Sequence, residues 1–148
     1  MKTVFEAEHI LFDTESTTKE QVFAFIAANA YALGYVADAK AFEAGLNGRE
    51  QHGSTGLTDG VAIPHCKHDT VLHAGIFVVR FSHPIAWETM DEKPVTTAVS
   101  LTIPAEGSEE SLRLLAKLSR SMMRKPFRDT LQNGDAGQVQ DVIASAMA

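Results

Sequence analysis

Cysteine is almost missing from this chain: Cys66 is the single thiol in 148 residues. No intramolecular disulfide can form, so nothing points to an oxidising compartment, and the cysteine pairs of a structural zinc site are missing too. Long apolar runs are also lacking. None approaches the roughly 18 residues needed to span a bilayer, and the start, Met1-Lys2-Thr3-Val4-Phe5-Glu6-Ala7-Glu8, does not follow the basic-then-apolar order of an export signal. Basic charge is scarce, with 13 Lys and Arg against 19 Asp and Glu for a net charge of −6, which argues against nucleic acid or an anionic membrane as partner. No internal repeat or low-complexity tract interrupts the chain. These absences together predict a cytoplasmic protein with no membrane insertion of its own, working on a small molecule or a protein partner.

What is present is globular: 45% hydrophobic and 22% charged residues, enough for the core of a single domain over residues 1–148. His9-Ile10-Leu11-Phe12 is a short apolar patch, an edge strand or the lead into a helix. Ser16-Thr17-Thr18-Lys19-Glu20 offers an N-cap, with Glu20 three residues after Thr17 as a capping box, ahead of Val22, Phe23, Ile26, Ala30 and Leu33 at helical spacing. Gly34 closes that helix. A second helix is predicted from about Ala37 to Leu46 or Arg49, interrupted by Gly45 and Gly48. A short strand runs from Val61 to Pro64. Val71 to Phe81 reads as a strand buried on both faces, and Val95 to Ile103 as another with one greasier face. Ser108 caps a helix striped by Leu112, Leu115, Leu118 and Met122, which read as core and run to Lys125-Pro126; Phe127 to Leu131 and Val139 to Met147 give two more. Helices before and after a central run of strands predict an α/β fold, a mixed β-sheet flanked on both faces by α-helices.

The stretch from Arg49 to Cys66 carries the chemistry. It places an arginine, a glycine-rich loop and a strand that stops at Pro64 immediately ahead of the imidazole of His65. Functional groups concentrate at such ends of a rigid scaffold. An imidazole changes charge near physiological pH and is nucleophilic through a ring nitrogen, so it can take up and pass on a phosphoryl group. That chemistry needs positive or hydrogen-bonding groups for the phosphoryl oxygens and a partner that fixes the second ring nitrogen. Arg49 supplies a forked, permanent cation, and Gly53, Ser54, Thr55, Gly56 and Gly60 form a loop able to aim backbone N–H groups at an anion. His52 is close enough in sequence to Arg49 to line the same pocket. The competing reading makes His65 a structural histidine and Arg49 a solvated helix-end cation. Cys66 adjoins His65 but, in a strand, points to the opposite face, so a passive thiol is expected rather than a nucleophile. His65, His68, Asp69 and His73 match no strong metal pattern, and no metal or other cofactor is expected. His9 and His83 read as surface residues, and Glu109-Glu110 as complements to a helix dipole.

Arg49, Glu50, Gly56, the run Gly60-Val61-Ala62-Ile63-Pro64-His65 and the later Asp91-Glu92-Lys93-Pro94-Val95 resemble the enzyme IIA domain of the fructose–mannitol class of the bacterial phosphoenolpyruvate-dependent sugar phosphotransferase system (PTS). The resemblance covers essentially the whole chain. It implies a phosphoryl carrier: His65 accepts the group from the phosphohistidine of HPr through Nε2, with Arg49 offsetting its charge, and hands it to a cysteine of a IIB partner, which in turn serves a IIC permease. The chain departs from the pattern at one position. Most members carry a second histidine in a run like Glu-His-Leu, and here the run is Glu110-Ser111-Leu112. Ser111 can donate a hydrogen bond but bears no charge. The galactitol-type members also lack that histidine and share the Ile63-Pro64-His65-Cys66 run, so the resemblance leans toward that branch, with galactitol, fructose and mannitol all open as the sugar or polyol.

Three functions therefore compete. One is a transport phosphocarrier; the second is a free-standing regulatory IIA-like protein whose phosphorylation sets partner binding; the third is a metal-dependent hydrolase using His65 and His68. Transfer onward to a IIB cysteine marks the first, and stoichiometric bound metal would mark the third.

Overall fold

Two long antiparallel strands form the spine of the molecule in a computed structural model that describes residues 2–148. They are β4 (Gly75–Ile85) and β5 (Val95–Pro104), paired from Gly75↔Thr102 to Ile85↔Val95 with an irregularity between Arg80 and Ile85. The parallel edge strand β1 (Ile10–Asp13) lies on the far side of β4. The other side of β5 carries β2 (Val61–Ala62) and then β3 (His65–His68), both parallel to it. The sheet is mixed, as the sequence predicts.

Alternation along β4 divides the apolar residues between two cores. Phe77 and Val79 face α1 (Lys19–Ala32) and α2 (Ala39–Gln51), packing with Phe23, Ile26, Phe42, Leu46 and Trp87. Ile76 and Val78 face α3 (Glu109–Met122), α4 (Lys125–Asn133) and α5 (Ala136–Met147), packing with Leu101, Leu118, Met122, Leu131 and Ile143. Helices thus cover both faces of the sheet, the expected sandwich.

Several local expectations shift. The cap of α1 is Thr18, whose hydroxyl accepts from Gln21 N, while Gln21 reaches back to Thr17 N; Gln21 takes the part predicted for Glu20. Gly45 and Gly48 do not interrupt α2, which runs unbroken behind the cap Asp38. Ser108 occupies the N-cap of α3 without making a side-chain cap bond, and Leu112, assigned to the core stripe, is 45% exposed because the buried stripe of α3 runs through Ser111, Leu118, Ser121 and Met122, one residue off Leu112 around the helix. His9, expected at the surface, is fully buried. Its ring stacks on Phe77 at 4.6 Å and meets Tyr35 edge-on at 4.9 Å, and Nδ1 lies 2.9 Å from Ile76 O. A short 3₁₀ turn, Ala7–His9, rolls it inward just before β1, a contact across 67 residues of chain that no local pattern reveals.

Candidate functional site

Proline accounts for the backbone at the site. The strand predicted from Val61 to Pro64 is only two residues long, and a second strand opens at His65 on the same edge of β5. Pro64 has no N–H to give to a ladder. Its carbonyl still accepts from Leu101 N at 3.3 Å, so the chain stays on β5 while the pairing lapses. In that gap Ile63 turns its backbone elsewhere: Ile63 N donates to Thr55 O at 2.9 Å, and Ile63 O lies 2.8 Å from His65 Nδ1. His65 therefore begins a strand instead of following one.

A carbonyl oxygen can only accept, so Nδ1 carries the proton in the His65–Ile63 bond and Nε2 keeps its lone pair. The half-buried ring has a pKa below the ordinary 6.5 of histidine. Burial is the main cause; the Ile63 bond opposes it, the Arg49 guanidinium lowers the value further and the Glu50 carboxylate raises it. A neutral imidazole with a free Nε2 is the nucleophilic form of the side chain. Cys66, next along the strand, goes to the α2 face, where a Cβ added at Gly45 would stand only 2.4 Å from its Sγ. Burial pushes its thiol up to about 11.

The last turn of α2 brings Arg49 and Glu50 to the site. Arg49 Nη1 donates to Gly53 O at 2.9 Å, its hydrogen-bond partner among the described residues, and the other N–H groups of its fork remain for an anion. The Glu50 side chain is 6% exposed. Its Oε1 accepts from Thr55 Oγ1 at 2.6 Å and its Oε2 from Thr55 N at 3.1 Å and Trp87 Nε1 at 3.0 Å, with Lys19 Nζ 3.5 Å away.

The loop between α2 and β2 is more committed than its glycines suggest. Gly53 N donates to Glu50 O, Thr55 N to Glu50 and Gly56 N to Ser54 Oγ, so these three N–H groups are spent within the loop and not aimed at an anion. Gly56 bridges to Ala62 and presses on the chain after β4: a Cβ there would meet Glu88 O at 2.2 Å and Trp87 Cδ1 at 2.9 Å. Asp59 and Gly60, at φ 54° and 82°, turn the chain into β2 and are held by Asp91, Arg128 and Gln132.

The side chains of the other expected site residues, His52 and Ser111, make no hydrogen bond to His65 or Arg49 among the described residues. His52 is the exposed C-cap of α2, and its backbone N–H donates to Arg49 O; no hydrogen bond engages its ring among the described residues. Ser111 is buried in the first turn of α3, lining a cleft with Val4, Ala74, Glu110, Arg113, Lys117 and Met147; neither His65 nor Arg49 lines that cleft. Among the described residues no three His, Cys, Asp or Glu side chains converge as metal ligands would. Sequence reasoning overlooked Glu50, Thr55, Ile63 and Trp87 as one connected unit. A glutamate beside the arginine, in a stretch otherwise short of acids, was the one signal available.

Comparison with known proteins gives a consistent result. The chain is 33% identical over 148 residues to the "PTS system fructose-specific EIIA component" of Haloferax volcanii, covering 99% of this chain and 96% of that one. Among solved structures it matches the nitrogen regulatory protein IIA-Ntr of Neisseria meningitidis with a TM-score of 0.85 and 29% identity, over 95% and 96% of the two chains. It also shares its fold with a complex of Escherichia coli mannitol enzyme IIA and phosphorylated enzyme IIB, at a TM-score of 0.78 and 16% identity over 95% and 97%. A family model described as "Phosphoenolpyruvate-dependent sugar phosphotransferase system, EIIA 2" matches residues 3–146, and the chain belongs to that family.

Proposed function

We propose that the protein carries a phosphoryl group on Nε2 of His65, taking it from the phosphohistidine of HPr and passing it to a cysteine of a IIB partner. The supporting observation is the Nδ1–H bond to Ile63 O, which leaves Nε2 as the nucleophile. In the transfer, Nε2 attacks phosphorus in line as the bond to the HPr histidine nitrogen breaks, and in the next step the IIB thiolate attacks as the Nε2–P bond breaks. Arg49 offsets the charge gathered on the equatorial oxygens. Phosphorylation turns the site dianionic, and the guanidinium then stabilises the loaded state as well. A fructose-type IIB is the favoured acceptor over a galactitol-type one, since the Haloferax relative similar over nearly its whole length bears a fructose-specific name.

A second reading, a regulator whose phosphorylation state controls partner binding, draws on the likeness to IIA-Ntr and on a serine at position 111. One experiment addresses both. The protein is incubated with phosphoenolpyruvate, enzyme I and HPr, weighed intact, and then mixed with a fructose-type IIB. The carrier reading expects one acid-labile phosphoryl group, absent in His65→Ala, that moves to IIB. A group that loads but does not move favours the regulator; no loading from HPr contradicts the carrier, and no loading from a dedicated HPr-like donor either contradicts both.

A further inference from the structure

One chain of hydrogen bonds runs from a buried carboxylate to the reactive ring. Glu50 grips Thr55 twice, through the backbone N–H at 3.1 Å and the hydroxyl at 2.6 Å. Thr55 O accepts Ile63 N at 2.9 Å, and Ile63 O accepts the Nδ1–H of His65 at 2.8 Å. The outer end is fixed as well, because Trp87 Nε1 and Lys19 Nζ hold Glu50 Oε2 from β4's exit and from α1. Every link before the ring is backbone or nearly buried side chain. Ile63 N–H and Ile63 O belong to successive peptide units joined at the Ile63 Cα; with the first held by Thr55 and the second closed by the Pro64 ring, the oxygen has little freedom to turn away.

The Ile63 peptide lies in the interval where Pro64 suspends pairing with β5. Ile63 itself is not paired in the ladder: Pro64 O takes Leu101 N just after it, and the Ile63 N–H goes to Thr55 O instead of to β5. Thr55 is in turn placed by Glu50. In an unconstrained histidine side chain the Nε2–H form is the commoner neutral tautomer, and it would block Nε2 as nucleophile. The opposite tautomer therefore has to be imposed.

We propose that Glu50 is a positioning residue for His65: through Thr55 and the Ile63 peptide, its carboxylate holds the imidazole in the Nδ1–H tautomer and presents Nε2. The part of this concerned with phosphoryl transfer rests on the function proposed above, and the part concerned with the tautomer stands without it.

The test reads the two separately. Ring ¹⁵N resonances of His65 at a pH where the imidazole is neutral report which nitrogen carries the proton, and phosphoryl uptake from phosphorylated HPr reports transfer. The wild type is expected to hold the Nδ1–H form. Glu50→Gln presents an amide to the donors of Thr55 and Trp87; the Nε2–H form then becomes a major species, and uptake slows by about 10²-fold, the cost of misplacing a reacting group by about 1 Å. Thr55→Val, which removes only the hydroxyl bond, shifts both readouts the same way by less, and Thr55→Ser restores them. An unchanged tautomer in folded Glu50→Gln, even with a lower melting temperature, overturns the proposal by reducing Glu50 to a structural anchor. If Glu50→Gln does not fold, an unchanged tautomer in Thr55→Val has the same force. A tautomer that shifts in a protein that never takes up phosphate upholds the positioning and refutes the function.

Discussion

Buried groups set the behaviour of this protein residue by residue. His9 and His65 both have pKa values below the ordinary 6.5, each chiefly through burial. Glu6, with Oε1 3.9 Å from His9 Nε2, pulls the other way without prevailing. Above the ordinary value neither the folded nor the unfolded state binds a proton at these rings, and stability is independent of them. As pH falls below it, the unfolded chain takes up protons that the folded chain refuses, and stability is lost until the lower folded pKa is passed. The urea midpoint is therefore expected to fall on acidification from about pH 7.5 to 5.5, less steeply in His9→Phe. A midpoint that rises over this range contradicts the burial of these rings. Cys66 gives a second residue-scale prediction. With its thiol buried and pushed up to about 11, the thiolate that reacts with maleimide is scarce and inaccessible, so labelling at pH 8 should need unfolding; rapid labelling of the native protein would show that α2 does not cover it as described. At Gly56 the nearest neighbour of an added Cβ is a backbone atom, Glu88 O at 2.2 Å, which cannot yield as a flexible side chain can. Gly56→Ala is expected to cost about 1–3 kcal/mol by urea denaturation, whereas Gly48→Ala, with nothing within 4 Å of the added Cβ, should stabilise α2 slightly.

At the scale of elements, the helices on the α4 face depend on one strand residue. Arg80 of β4 donates from Nε to Leu131 O at 2.8 Å and from Nη2 to Gly134 O at 2.7 Å and Thr130 O at 3.3 Å. It thus takes up Leu131 O in the last turn and Gly134 O just past it, adds to the bond that Gly134 N already gives Thr130 O, and sets its charge against the negative end of the helix dipole. Arg80→Met keeps much of the apolar stem but removes these donors. A loss of about 2–3 kcal/mol, with faster amide exchange concentrated in α4, is expected; uniform exchange changes would contradict the capping role. Elements also show where sequence was readable. The long strands β4 and β5, the capped α1 and the amphipathic α3 carry strong patterning or caps, and their existence and order follow from it. The break at Pro64 was visible as a stop, but where the freed Ile63 amide and carbonyl would go depends on Thr55, eight residues upstream in a loop, and on Trp87, which joins through Glu50 from the far end of β4. Such links are tertiary, and spacing along the chain does not encode them. His9 escaped for the same reason, since its cage is assembled from Tyr35 and Phe77.

For the whole molecule, the sandwich explains why the candidate site stands at this place. Two cores on opposite faces fix β5, β5 fixes β2 and β3, and the lapse between them exposes one imidazole whose orientation is set from behind. The candidate residues His65 and Arg49 were legible from the motif, because the arginine, the glycine loop and the proline are contiguous in sequence. Their partners were not, and Ser111, suggested only by family resemblance, lies in a cleft that His65 and Arg49 do not line. Among the described residues no helix is long and apolar enough to cross a membrane. The proposed carrier chemistry depends on which nitrogen of His65 bears the phosphoryl group. Ring ¹⁵N and ³¹P NMR of the protein after phosphorylation by HPr answers this directly: a single phosphoryl group on Nε2, with Nδ1 still protonated, is the predicted result, and a phosphoryl group on Nδ1 or on any residue other than His65 would contradict it.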